Sequence, residues 1–280
     1  MTIDVDALRV RLGQVPELGV RARTRATAGL SDKEDGKALL ADLQPRIADL
    51  QDDLWAENAR SLLVVLQGMD TAGKSTTSGR VFRLVHPQGI SVSAFKKPSE
   101  RELDHDYLWR VHARVPSRGT IGIFDRSHYE DVGVVAVNGW IDDATVHQRH
   151  GHINDFERML ADTGTVIRKI WLDISPQEQR KELQERIDEP DKHWKFNTGD
   201  LDTRAQWDDY MRVYGNALAA TSTDWAPWYR VPGDRRWVSS ACVAQIVADA
   251  LEEMAPANPG ANPDFSGLVV PAHPPAAARD

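Results

Sequence analysis

The apolar run Leu62-Leu63-Val64-Val65-Leu66 passes through Gln67 directly into Gly68-Met69-Asp70-Thr71-Ala72-Gly73-Lys74-Ser75. No other junction in the chain constrains the fold as strongly. The octet matches the pattern G-x-x-x-x-G-K-S/T in the context the pattern requires, a strand before it and a helix-compatible stretch after it. Glycines at both ends let successive backbone N–H groups turn inward around phosphate oxygens. The helix that follows points its positive end at the same place, and Lys74 adds a mobile point charge. Gly68, Met69, Thr71, Ala72 and Gly73 are therefore expected to form a phosphate cradle, and Ser75 to supply the hydroxyl that ligates Mg²⁺ in such loops. Asp70 is the unusual member, because a carboxylate in an anion cradle repels the ligand unless a cation offsets it. It either has a metal-linked or acceptor-positioning role or turns out to solvent and supports the turn.

ISVSAF near residue 90, TIGIFD near 120 and VIRKIWLDI near 166 are further short β-branched runs, separated by longer helical stretches. Strands alternating with helices predict an α/β chain with a doubly wound parallel sheet covered on both faces. Ser99 with Glu102, and Ser175 with Glu178, have capping-box spacing, and Pro176 occupies a first helical position. These signals predict helices over 100–114 and 176–188. Two more are expected, from Asp142 to about Ala161 and from Asp202 through WDDYMRVYGNALAA. Leu40, Leu43, Ile47, Leu50 and Leu54 recur at helical spacing, with Pro45 expected to start or kink that helix. Residues 1–60 thus read as an N-terminal helical extension to a domain over 61–253. The last stretch, 254–280, carries six prolines and reads as a flexible tail.

The third strand ends at Asp125, beside the first, where an acid can hold Mg²⁺ or its waters. Arg126, next to it, is a candidate clamp on a transferring phosphoryl group. His128 is expected to be a hydrogen-bonding residue of that loop and not a base. His147, His150 and His152 do not share one helical face and are not read as a metal site. Among the tryptophans only Trp194 is considered for contact with a base.

The chain has 280 residues, with 34 Lys plus Arg against 42 Asp plus Glu, a net charge of -8. That balance argues against a surface built as a whole for nucleic acid or an anionic membrane. Residues 74–130 nevertheless hold 10 basic against 6 acidic side chains, a local +4. One cysteine, Cys242, excludes an internal disulfide framework, and no apolar run approaches the roughly 18 residues of a membrane span. The start of the chain lacks the pattern of a secretory signal, so a cytoplasmic protein is expected.

LLVVLQGMDTAGKS, HPQGISVSAFKKPSERELDHDYLWR and PSRGTIGIFDRSHYEDV together resemble the polyphosphate kinase 2 family, and ERIDEPDKHWKFNTGDL, WDDYM and APWYRVPGDRRW extend the resemblance over about residues 35–253. The resemblance implies a three-layer, thymidylate-kinase-like P-loop kinase fold with a helical lid. It also implies Mg²⁺-dependent transfer of a terminal phosphoryl group between inorganic polyphosphate and a nucleoside mono- or diphosphate of the AMP or ADP type, by a homo-oligomer, dimer or tetramer. Carried onto this chain, it makes Asp70 and Asp125 metal-associated acids with Ser75, Lys74 the loop lysine and Arg126 the clamp. Arg186, Lys192 and Lys195 become the basic residues of a lid around 180–200. A long polyanion also needs cations beyond the centre, and Lys96, Arg110 and Arg118 are the candidates. Three places depart from the family pattern. Ala136 stands where an arginine is usual, Glu182 interrupts a K-R-F run, and Ser75-Thr76-Thr77 replaces a glycine-containing turn. An ATP-dependent small-molecule or nucleotide kinase and a catalytically impaired polyphosphate or nucleotide binder are the competing readings.

Overall fold

Strands that are apolar on both faces belong at the centre of a covered sheet, and the pairing follows that rule. The computed structural model describes residues 2–270. In chain order its helices and strands are α1 (Arg21–Thr24), α2 (Lys33–Glu57), β1 (Ser61–Gln67), α3 (Lys74–Val81), β2 (Ile90–Ala94), α4 (Glu100–Leu103), α5 (Trp109–His112) and β3 (Ile121–Asp125), followed by α6 (Val134–Val137), α7 (Asp143–Asp162), β4 (Thr165–Asp173), α8 (Pro176–Asp188), α9 (Gly199–Ala205), α10 (Trp207–Thr221), β5 (Trp228–Pro232) and α11 (Arg236–Met254). The five strands are all parallel, in the order β2-β3-β1-β4-β5. β1 is buried along its whole length and lies at the centre. Because its neighbours are β3 and β4, the winding reverses there, and the crevice at its carboxyl end is where open α/β sheets bind ligands.

Helices α2, α3 and α11 pack together on one face, while α7, α10 and α6 cover the other. The result is the three-layer, doubly wound α/β architecture that the sequence predicts. β5 and α11 have no counterpart in the strand and helix pattern read from the sequence. WYRVP is too short and too mixed to announce a strand. α11 is buried on nearly all sides, so it carries no amphipathic stripe to betray a helix.

Three expected helices differ in detail. α2 starts at Lys33 and runs through Pro45, so that proline does not begin it. The helix is capped by Asp32, whose carboxylate accepts from Glu34 N–H at 2.8 Å and Asp35 N–H at 3.0 Å. The helix expected over 100–114 is two single turns, α4 and α5, separated where Asp106 Oδ1 accepts from Leu108 N–H at 3.0 Å. The helix expected from Asp202 starts at Gly199 and breaks at Gln206 into α9 and α10. Residues 257–270 are exposed, with one short 3-10 turn at Pro263–Phe265, and the rest of the Pro-rich tail, 271–280, lies outside the described residues. Among the described residues, no helix is long and apolar enough to cross a membrane.

A buried polar cluster anchors the segment after β3. Lys169 of β4 is fully buried and donates to Glu157 Oε2 at 2.5 Å, Tyr129 Oη at 2.7 Å and the Thr221 carbonyl at 2.7 Å. Glu157 Oε1 also accepts from the Tyr129 hydroxyl at 2.9 Å and lies 3.2 Å from His128 Nε2. Burial pushes the Lys169 ammonium down to about 8, and Glu157 opposes that shift. The cluster ties β4, α7 and α10 to residues 128–129, and removing one charge would strand the other in the core.

At the end of β4, Asp173 is 1% exposed. Its Oδ1 accepts from Gly19 N–H at 2.8 Å, while Oδ2 has no partner. Burial raises this carboxyl to about 6, against the Gly19 hydrogen bond. Between roughly pH 4 and 6 the native state holds this proton more tightly than the unfolded chain does. Stability from this group is therefore greatest below that window and lost as pH rises through it, by roughly 3 kcal/mol in all. Urea unfolding of the wild type and Asp173→Asn should show a difference that shifts in favour of the variant from pH 4 to pH 7. A difference independent of pH would contradict the assignment.

Candidate active site

The phosphate loop leaves β1 at Gly68, whose φ of +149° belongs to glycine; a Cβ there would lie 2.8 Å from the Leu172 carbonyl oxygen. Gly73, at φ +89°, caps α3, and Lys74 is that helix's first residue. Between them Thr71 also takes a positive φ, of +70°. Lys74 is 8% exposed and folds back over the loop, donating to the carbonyls of Gly68 at 2.8 Å and Met69 at 3.2 Å. Burial and then the Arg126 charge lower its pKa, and Asp70 and Asp125 oppose them. An anionic ligand replacing the two carbonyl contacts would favour the charged ammonium further.

Register delivers the acid to the same edge. Asp125 ends β3 opposite Leu66 of β1 and Ala94 of β2. Its Oδ2 accepts from the Ser75 hydroxyl at 2.5 Å. The next residue, Arg126, takes a φ of +63° and donates its backbone N–H to Leu66 O at 3.0 Å, turning its side chain back across the loop. There the guanidinium pairs with Asp70. Asp70 is thus turned toward Arg126 and not out to solvent. Burial opposes the Arg126 charge, but Glu130 and Asp70 outweigh it and hold the guanidinium above its ordinary value. Glu130 is itself fixed, accepting from Gln67 Nε2 at 2.9 Å and Tyr214 Oη at 3.2 Å.

Among the described residues, no group of three or more His, Cys, Asp or Glu side chains is arranged to hold a metal. The donor set nonetheless suits Mg²⁺, which binds through one or two protein oxygens and completes its shell with water and phosphate. The facing Ser75 hydroxyl and Asp125 carboxylate are such a pair.

A cleft of about 850 Å³ opens at this edge, lined by Asp70, Arg126, Lys96, Tyr107, Trp140 and Tyr214 among others. A second hollow of about 330 Å³ adjoins it, bearing Lys96, Lys97, Arg110 and Arg114. Lys96 faces both. Arg110 borders both as well, but it is 7% exposed and donates to the Lys96 carbonyl at 2.8 Å and Asp131 Oδ2 at 3.2 Å. Its charge braces the wall and is already partnered. The structure does not bring Arg118 to the site. It precedes β3, next to Gly119, whose N–H donates to Arg60 O, at the amino end of the strands and opposite the phosphate loop.

The basic residues at the end of α8 and in the stretch after it are also partnered. Arg186 Nη1 lies 3.4 Å from Asp200 Oδ2 and 3.1 Å from the Lys195 carbonyl. Lys192 pairs with Glu189 at 2.7 Å and Glu185 at 3.6 Å. Lys195 sits 5.0 Å from the ring centre of Trp194, which is 80% exposed. His128 is fully buried against Glu157 and takes no part in the cleft. Ala136 lies in α6, whose neighbours Val134 and Val135 line the cleft wall.

Sequence reasoning missed the residue that holds the loop from behind. Arg236, the first residue of α11, donates from Nη2 to the Thr71 carbonyl and from Nη1 to the Ala72 carbonyl, both at 2.5 Å, and to Gly233 O at 3.2 Å. The only signal was its place in GDRRW just past an unrecognised strand, and without β5 nothing put that run beside the loop. Glu130 and Tyr214 were missed for a similar reason, since their role depends on α10 packing over the β3 edge.

A phosphate loop at the switch point of a parallel sheet, with a β3 acid on its serine and an arginine across it, defines a P-loop phosphotransferase site. The comparisons specify which. The family Polyphosphate kinase 2 matches residues 30–259. An AMP/ADP-polyphosphate phosphotransferase of Meiothermus ruber is 48% identical over 223 residues, 80% of this chain and 84% of that protein. An ADP-polyphosphate phosphotransferase of Rhodopseudomonas palustris is 38% identical over 275 residues, covering 94% and 95%. The crystal structure of Polyphosphate Kinase 2 from Arthrobacter aurescens superimposes with a TM-score of 0.89 at 44% identity over 93% of both chains. The chain belongs to the polyphosphate kinase 2 family, and it is an enzyme with the P-loop kinase fold of that family.

Adding a methyl group at Gly73 forces a side chain into φ +89° and places it 2.8 Å from Arg236 Nη1. Gly73→Ala should therefore weaken binding of inorganic tripolyphosphate by at least about tenfold while thermal unfolding shifts by only a few degrees. Calorimetric titration checks this, and unchanged affinity would contradict the loop geometry.

Proposed function

We propose that this enzyme transfers a terminal phosphoryl group between inorganic polyphosphate and AMP or ADP, with Mg²⁺. The observation that carries the reading is the convergence of Lys74, the Ser75–Asp125 pair and the Arg126–Asp70 pair at one loop, while His128, the imidazole nearest Arg126 in sequence, is buried against Glu157. An acceptor phosphate is already anionic, so alignment and charge neutralisation suffice. The names of the relatives in Meiothermus ruber and Rhodopseudomonas palustris favour adenosine phosphates as acceptors.

In this mechanism the loop N–H groups and Lys74 hold the phosphate being transferred, Lys74 exchanging its two carbonyl partners for phosphate oxygens. Arg126 spans from Asp70 toward the same point and offsets charge that spreads over the equatorial oxygens. Asp70 keeps that arginine in place and repels the acceptor from any other approach. Ser75 and Asp125 would hold Mg²⁺, which when bound neutralises donor and acceptor oxygens. The wall cations Lys96, Lys97 and Arg114 carry the remainder of the polyanion, and Arg118 has no part in that track. The region around 180–200 acts as a lid: Arg186, Lys192 and Lys195 leave their present partners for phosphate as it closes, excluding water and with it hydrolysis. The 61–253 domain works within a cytoplasmic homo-oligomer, with 1–60 as a helical extension.

Phosphorus NMR of the protein incubated with Mg²⁺, polyphosphate and AMP, ADP, GMP or GDP in separate reactions should show product from the adenosine acceptors. Lys74→Ala and Asp125→Ala should each lower that rate by at least about a hundredfold with circular dichroism unchanged. Near wild-type turnover in either variant, or turnover with ATP alone as donor, would overturn the assignment.

A further inference from the structure

Glu182 places a carboxylate directly after Lys181 on α8, and as a free charge it would repel a polyanion. It is not free. Its Oε2 lies 3.4 Å from Arg236 Nη2, the nitrogen that also donates to the Thr71 carbonyl. The Arg236 side chain is 19% exposed and that of Glu182 29%, so the pair is largely withdrawn from water.

The position of Glu182 on α8 gives the contact its meaning. Ser175 caps this helix, and its N–H and Oγ both bond Asp234, at 2.7 and 2.8 Å. Gln179, one turn on, is fully buried, and Glu182 follows at the next turn of the same face. One helix face is therefore fixed twice to the same turn, Gly233–Arg236: at its cap through Asp234 and two turns later through Arg236. The second attachment is the one that reaches the phosphate loop, because Arg236 holds the Thr71 and Ala72 carbonyls in the positive-φ bend. Glu182 stands about 10 Å along the helix from its cap. A rotation of α8 by roughly 20° about Ser175 would move it by about 4 Å, enough to part the ions while leaving the cap intact.

We propose that Glu182 is a positioning residue: it holds the Arg236 fork against the loop carbonyls and so makes the shape of the phosphate loop depend on the placement of the α8 lid helix. The kinetic arm of the test rests on the phosphotransfer reading, whereas hydrogen exchange does not. Glu182→Gln keeps size and polarity and removes the charge. Amide exchange over residues 70–75 should then accelerate about fivefold, and kcat should fall about tenfold with KM for polyphosphate within twofold of wild type. Arg236→Lys, which keeps the charge and loses the two-carbonyl fork, should produce the same exchange change, and the double variant should be no worse than Arg236→Lys alone. Thermal melts establish that each variant is folded. Unchanged exchange in Glu182→Gln with a lower KM and an equal or higher kcat would show Glu182 to be only a repelling charge and would overturn the proposal. A wild-type protein without turnover would defeat the functional reading, and the exchange result would still decide this one.

Discussion

The ion pair between Arg126 and Asp70 is the interaction on which the site depends. It spans from the turn after β3 to the middle of the phosphate loop, and each charge offsets the other. Without Arg126, a carboxylate would sit in a cradle made for anions; without Asp70, the guanidinium would lean on Glu130 and swing off the loop. Much of the remaining structure keeps this pair in register. β1 and β3 must pair so that Asp125 comes level with Leu66, and Arg126 must adopt a positive φ, held by its bond to Leu66 O. Three residues further on, the Lys169–Glu157–Tyr129 cluster pins the same turn into the core.

Such a site stands already neutralised. Lys74 rests on backbone carbonyls, Arg126 on Asp70, Arg110 on Asp131, Arg186 on Asp200 and Lys192 on Glu189. A bare cluster of that many cations would be costly by self-repulsion, and partial pairing removes much of that cost. Binding a polyanion is then an exchange of partners, in which flexible contacts such as those of Lys192 and Lys195 change most easily and the buried Arg110–Asp131 contact least. The chain's net acidity, spread outside the 74–130 segment, is consistent with this design, since it leaves few other places where a polyanion would settle.

The centre of the fold was legible because its signals are local. LLVVLQ followed by the glycine pattern specifies a buried strand, a turn and a helix within one stretch, and the caps at Ser99 and Ser175 are found where spacing put them. What sequence could not give depends on long-range placement. Arg118 and Arg110 read alike as cations following the loop, yet a strand's length separates the first from the cleft and Asp131 claims the second. Arg236 is far away in sequence and touches the loop only because β5 adds to the sheet beside β4. α11 was hidden for the opposite reason: a helix buried all round has no face to mark it. Glu182 read only as an interruption of a basic run, and the ion pair with Arg236 shows what opposes its charge.

If Asp70 and Arg126 act as one unit, a double-mutant cycle on turnover is the most direct test of it. Asp70→Asn, Arg126→Gln and the double variant would be measured with Mg²⁺, polyphosphate and ADP at saturating concentrations. For a single device, each single change lowers kcat by about a hundredfold or more and the double variant is no slower than the worse single. Losses that multiply in the double variant would mean that the two residues act separately, and the Arg126–Asp70 pair would not be the interaction on which the site depends.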